Sequence, residues 1–235
     1  MQKAIYVVGI SGISNGGKTS LAQRLIKAFP GSHYICQDTY FRERAFERNI
    51  SSPSCKCSTD GFKYCAMQSL DEGSDKLVID PELNHANWES LNALDMDQMM
   101  SDLTSHLQTK QETLTKDPSK APHFVFVDGF TIFNYRPFQP LWSKKYFITL
   151  NREVAKERRS HRHYEPADVP GYFDKFVWPM YEKHKEELQD QHDIVYVDGT
   201  EKQDVLYERV CADLTTLAAE GQCVQVLTPN GEGEL

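Results

Sequence analysis

The chain has 235 residues and a formal net charge of −8, with 40% hydrophobic and 26% charged residues. That length and apolar content suit one folded domain and argue against wholesale disorder, the acid excess sets aside nucleic acid as the main partner, and no apolar run has the length of a membrane span. Six irregularly spaced cysteines do not read as a disulfide framework, and a strand begins too early for a secretory leader, so a reducing, cytoplasmic setting is expected.

The apolar run Ala4–Val8 predicts a buried strand, and the apolar positions 21, 22, 25, 26 and 29 predict a helix from Ser20 to Phe29. Between them Gly12, Ile13, Ser14, Asn15, Gly16, Gly17, Lys18 and Thr19 fit the phosphate-binding loop G-x-x-x-x-G-K-[ST]. The glycines let successive backbone N–H groups turn onto phosphate oxygens, and the helix N-terminus that follows adds partial positive charge. Lys18 reaches the outer phosphates, and the Thr19 hydroxyl suits Mg²⁺. Pro30-Gly31 stops the helix, and His33–Cys36 predicts a second strand. Asp38 follows at its carboxyl end, where open α/β sheets place their ligand crevice. It reads as a general base for an acceptor hydroxyl, with a share in Mg²⁺ binding, or as a helix cap. Thr39, Tyr40 and Phe41 continue along the acceptor side.

Residues 42–87 read as a long insertion or flap, in which Cys55, Cys57 and Cys65 lack paired zinc-ligand spacing. Trp88 and Glu89 set an aromatic plane beside a carboxylate; this suits a ribose or a ring, or the Trp anchors the next helix. That helix is expected from Ser90 to Leu103, with residues 108–122 as a polar loop. The run Phe124–Val127 ends in Asp128, which reads as a strand carrying a carboxylate to the phosphate loop, where it orders Mg²⁺ or its water. Tyr146–Leu150 predicts a fourth strand. Arg158, Arg159 and Arg162 recur three and four apart, so one helix face is expected to present them to a transferring phosphoryl group. Tyr164 and Asp168 follow in a Pro-interrupted loop suited to substrate contact. Asp193–Val197 predicts the last strand, and Asp204–Ala219 the closing helix. The intervening loop Gly199–Gln203, with Lys202, flanks an adenine. The histidines show no metal-ligand spacing, and residues 224–235 read as a tail.

With these residues in hand, the chain resembles the nicotinamide riboside kinases, within the uridine kinase-like branch of phosphate-loop kinases. The resemblance rests on the phosphate loop, Gln37–Phe41, Asn87–Glu89, Asp128–Phe130, Arg158–Arg162, Tyr164–Pro166, Asp168–Asp174, Val177–Tyr181 and Val197–Thr200. It implies a single α/β domain over residues 1–223. Its sheet would be five-stranded and parallel, in the order 2-3-1-4-5, with helices on both faces and an arginine-bearing lid. It implies transfer of the γ-phosphate of ATP, with Mg²⁺, to the 5′-hydroxyl of nicotinamide riboside. Asp38 would be the base, with Lys18 and Asp128 beside it. The phosphate loop through Ser20, Arg158, Arg162 and Lys202 would hold ATP. Trp88, Glu89 and Arg159 would hold the ribose side, and Tyr164, Glu165 and Asp168 the ring side. Glu89 stands where the family often has Asp, and Asp128 where many relatives have Glu. Asp60–Tyr64 echoes the segment before the ribose pair, so Tyr64 competes with Trp88. The rivals are a uridine/cytidine kinase and an ATP-binding protein without turnover.

Overall fold

The computed structural model describes residues 5–42, 79–117, 119, 122–164 and 168–220. The expectations for residues 43–78 (Cys55, Cys57, Tyr64 and Cys65 among them), Glu165 and the tail 224–235 lie outside the described residues. In chain order the elements are β1 (Ile5–Gly12), α1 (Lys18–Ala28), β2 (His33–Cys36), a hairpin of β3 (Ile79–Asp80) and β4 (His85–Ala86), α2 (Met96–Lys116), β5 (His123–Asp128), β6 (Lys144–Thr149), α3 (Arg152–Ser160), α4 (Trp178–Glu186), β7 (Ile194–Asp198) and α5 (Gln203–Glu220).

Five strands form one parallel sheet in the order β2-β5-β1-β6-β7. Counted without the hairpin, this is the expected 2-3-1-4-5 order of a phosphate-loop kinase. The inner strands β1 and β5 read as continuous apolar runs because both their faces are covered. Alternate residues therefore feed two cores. Tyr6, Val8, Ile10, Phe124 and Phe126 pack under Leu21 and Leu25 of α1 and Leu206, Val210 and Leu214 of α5. Val7, Val125, Val127 and Phe147 pack under Met99, Leu103 and Leu107 of α2, Ala155 of α3 and Tyr181 of α4.

Three expectations need correction. β1 runs on through Gly9 to Gly12, so the strand delivers the phosphate loop directly. The second long helix begins at Met96, where the Asp95 carboxylate caps Gln98 N at 3.1 Å, and Leu91–Ala93 forms a separate 3₁₀ turn. It also continues to Lys116 through residues read as loop: Leu107 and Leu114, seven apart, stay on the buried face, and the polar positions between them are the wet face. Finally, α3 stops at Ser160. Arg162 lies one turn beyond, its N–H bonded to Arg159 O at 3.1 Å, so the three arginines do not share a helix face.

Candidate active site

The sheet brings the chemistry to the carboxyl ends of β1, β2 and β5. Gly12 has φ +125°, and a Cβ there would overlap the Ile148 backbone. The loop then folds on itself through Gly16 N–Ile13 O at 3.1 Å and Ile13 N–Ile148 O at 3.2 Å. Gly17, in the left-handed region, starts α1 with no side-chain cap. The first N–H groups of an α-helix have no intrahelical acceptor, which makes this helix start suited to an anion. Lys18 donates to Ile13 O at 2.9 Å. Burial lowers its ammonium, and the charges of Asp38, Asp128 and Glu89 oppose that shift.

Asp128 is the register partner of Cys36 on β2 and of Ile10 on β1, which fixes it beside the loop. Its carboxylate accepts from the Thr19 hydroxyl at 2.6 Å and from the Tyr34 hydroxyl at 2.9 Å. Burial raises this carboxyl, and Asp38 adds to the rise. Gln37 locks the two strand ends together: its side chain donates to Thr131 Oγ1 at 2.9 Å and accepts from Thr131 N at 3.1 Å. A Cβ at Gly129 would overlap that Gln37 side chain, so glycine is needed there. Asp38 follows in the 3₁₀ turn Gln37–Tyr40, close enough to act on both Lys18 and Asp128. Thr39 turns its hydroxyl back to Cys36 O at 2.8 Å. Tyr40 is buried and donates to Asp102 on α2 at 2.8 Å. Phe41 lies edge-on to Trp88 at 6.0 Å and stacked against Phe130 at 6.2 Å, so Trp88 belongs to an aromatic wall that also touches the core.

Opposite stands a charged cluster. Arg159 is only 8% exposed. It grips Asp168 with two bonds, at 2.5 and 3.0 Å, and its Nη1 lies 3.3 Å from Glu89 Oε1. The guanidinium also lies over the Tyr164 ring at 4.6 Å and the Tyr172 ring at 5.5 Å. Burial raises the Glu89 carboxyl, while Arg159 pulls it down. The three arginines divide between three partners: Arg158 donates to Gly199 O at 2.9 Å, Arg159 holds the carboxylates, and Arg162 donates to Asn15 Oδ1 at 2.8 Å.

No protein-family model matches the chain. Among curated proteins, nicotinamide riboside kinase 1 of Homo sapiens is 33% identical over 225 residues, covering 94% of this chain and 98% of that protein. The chain belongs to the nicotinamide riboside kinase family. Nicotinamide riboside kinase 2 of Mus musculus is 31% identical over 215 residues, covering 88% of this chain and 94% of that protein. A uridine kinase of Streptococcus agalactiae serotype III (strain NEM316) is 24% identical over 209 residues, covering 85% and 90%.

Within this family member, sequence reasoning passed over several residues. Arg24 lines a cleft with Gly16, Gly17, Arg158, Gly199 and Gln203, the last two from the expected adenine loop. Lys202 is exposed in that loop and caps α5 through its carbonyl, which accepts from Leu206 N at 3.1 Å. Tyr172 presents its hydroxyl to Trp88 N at 3.1 Å, and His184 Nε2 lies 2.8 Å from Glu89 O, so both orient the Trp88-Glu89 pair. Tyr172 lies within the resemblance stretch Asp168–Asp174, where only its aromatic type hints at this role.

The oxygen donors Thr19, Asp38 and Asp128 fit a hard cation that keeps phosphate and water ligands. Among the described residues, no group of three or more His, Cys, Asp and Glu is placed to hold a metal ion by itself. No helix of the described residues is long and apolar enough to cross a membrane.

Proposed function

We propose that the chain transfers the γ-phosphate of ATP to the 5′-hydroxyl of nicotinamide riboside, giving nicotinamide mononucleotide and ADP. Kinship over nearly the full length supports the reaction class. The observation that carries the substrate choice is the pair of carboxylates, Glu89 and Asp168, set around a single guanidinium with the Tyr164 and Tyr172 rings beside it. Taken alone, that trio of two carboxylates and one guanidinium carries one formal negative charge, while Arg162 also lies over the Tyr164 ring at 5.5 Å. A pyridinium cation neutralises that charge and stacks on an aromatic face. A neutral pyrimidine, as in the uridine kinase reading, also stacks but leaves the charge unmet.

In this reading the loop amides and the α1 N-terminus seat the β- and γ-phosphates, and Lys18 exchanges Ile13 O for phosphate oxygen. Arg158 and Arg162 stand on the triphosphate side and offset charge as the γ-phosphoryl moves. Asp38 accepts the proton of the 5′-hydroxyl, the hydroxyl oxygen bonds to the γ-phosphorus, and the β–γ bridging oxygen leaves on ADP. Thr19, Asp38 and Asp128 would hold Mg²⁺, which would neutralise phosphate charge when bound. Trp88, Glu89 and Arg159 hold the ribose side, and Tyr164 and Asp168 the ring side.

The test is product identity. Purified protein with ATP and nicotinamide riboside should give nicotinamide mononucleotide by mass spectrometry, and Asp38→Asn should slow turnover by about 10²–10⁴-fold while ATP still binds. Near-normal turnover in Asp38→Asn would remove Asp38 from the base role.

A further inference from the structure

Asn15 sits in the middle of the phosphate loop with φ 63°, in the left-handed region. Asparagine tolerates that region better than most residues, so turn chemistry alone explains an Asn there. Turn chemistry does not explain where its side chain goes. Oδ1 accepts from Arg162 Nη1 at 2.8 Å, and Nδ2 donates to the Tyr164 hydroxyl at 2.9 Å. The same hydroxyl lies 3.1 Å from Oδ1. Both ends of one carboxamide are thus spent on residues 147 and 149 positions away.

Those partners lead straight to the acceptor side. The Tyr164 ring lies on Arg159, and Arg159 holds Glu89 and Asp168. A continuous set of contacts therefore runs from the loop that cradles the donor's phosphates to the carboxylates assigned above to the nucleoside. We propose that Asn15 is a positioning residue that ties the two substrate sites together. Triphosphate on the loop fixes the Asn15 backbone, the carboxamide then fixes the Tyr164 ring, and the ring is set for the acceptor's planar cation. Coupling of this kind is reciprocal: each substrate tightens the other by the same factor. The proposal rests on the acceptor assignment given under Proposed function.

Asn15→Gly separates the two roles of this residue. Glycine keeps the left-handed backbone and the peptide N–H, and loses only the carboxamide. The full chain would be titrated calorimetrically with nicotinamide riboside, with and without a non-hydrolysable ATP analogue and Mg²⁺. In the wild type, the analogue should tighten the nucleoside by about 5-fold or more. In Asn15→Gly that factor should fall below about 2 and the nucleoside KM should rise about 5–10-fold. Tyr164→Phe, which keeps the ring and loses the hydroxyl, should lose the coupling equally, and the double variant should be no worse than either single one.

Wild-type coupling retained in Asn15→Gly overturns the proposal. So does a loss of analogue affinity greater than about 10-fold, which places the side chain in donor binding instead, or additive losses in the double variant. A wild type that binds no nicotinamide riboside defeats the acceptor assignment and the proposal with it. Wild-type binding with an indifferent Asn15→Gly defeats the proposal alone.

Discussion

Glu89 and Arg159 face each other across 3.3 Å, both nearly excluded from water, at 9% and 8% exposure. Burial raises the Glu89 carboxyl, with the nearby Asp168 charge adding to the rise and Arg159 opposing it. A cationic substrate pairs with the ionised form only. The KM for nicotinamide riboside should therefore fall as pH rises through the elevated Glu89 value and then level off. Glu89→Gln should raise that KM about 10-fold, flatten its pH limb and leave the KM for ATP within about 2-fold. Initial rates between pH 5 and 8 check this; a Glu89→Gln profile that keeps the limb would assign it to another group.

Lys18 is held between opposing influences: burial lowers its ammonium, and Asp38, Asp128 and Glu89 sustain the charge. Removing it leaves those carboxylates without their shared cation and the outer phosphates without a point charge. Lys18→Ala should lower turnover by about 10²–10⁴-fold at saturating ATP. Unchanged steady-state kinetics would undo the phosphate-loop reading.

At the opposite end of β5, His106 and His123 place their Nε2 atoms 3.2 Å apart, and His33 stacks on His106 with centroids at 3.7 Å. That geometry needs one proton between the two nitrogens, not two. Burial, then the neighbouring His33 and Lys110, hold His106 down at about 4. Burial, then Lys110, His106 and His33, do the same for His123, against a bond to Gly31. Unfolded, each imidazole titrates near 6.5. Between those values the unfolded chain binds more protons, so stability should fall as pH drops from 6.5 toward 4 and level off below. Urea midpoints at pH 7 and pH 5 measure this, and His106→Gln should shrink the difference. An equal difference in wild type and variant would contradict it.

The inner strands were legible as runs of apolar β-formers buried on both faces, β1 ending in Gly12 and β5 in Asp128, whereas the edge strands β2 and β7 are partly exposed. The extension of α2 was not legible. Gln108 to Lys116 carries buried Leu114 amid polar residues, a single apolar position that sets no period by itself. Leu114, 4% exposed, makes this testable: Leu114→Ala should cost about 2–5 kcal/mol in urea unfolding, whereas a residue of a surface loop would cost under about 0.5.

The site was legible by type and not by pairing. The phosphate loop, Asp38, Asp128, Glu89, Arg159, Tyr164 and Asp168 announced themselves by chemistry and by their place after strands or in loops. That Arg159 serves both Glu89 and Asp168 while Arg162 serves Asn15 depends on where α3 ends, at Ser160, two residues before Arg162. The contacts of Tyr172 and His184 with Trp88 and Glu89 span 84 and 95 positions and leave no local trace in the sequence.

The central claim is that a phosphate-loop kinase site here selects a cationic nucleoside. Competition tests it most directly: nicotinamide riboside and uridine at equal concentration, ATP limiting, one tube, products separated by chromatography. The product ratio is the ratio of the two kcat/KM values. The account predicts nicotinamide mononucleotide in excess by about 10-fold or more, with the excess reduced in Glu89→Gln. Uridine monophosphate in excess would contradict it.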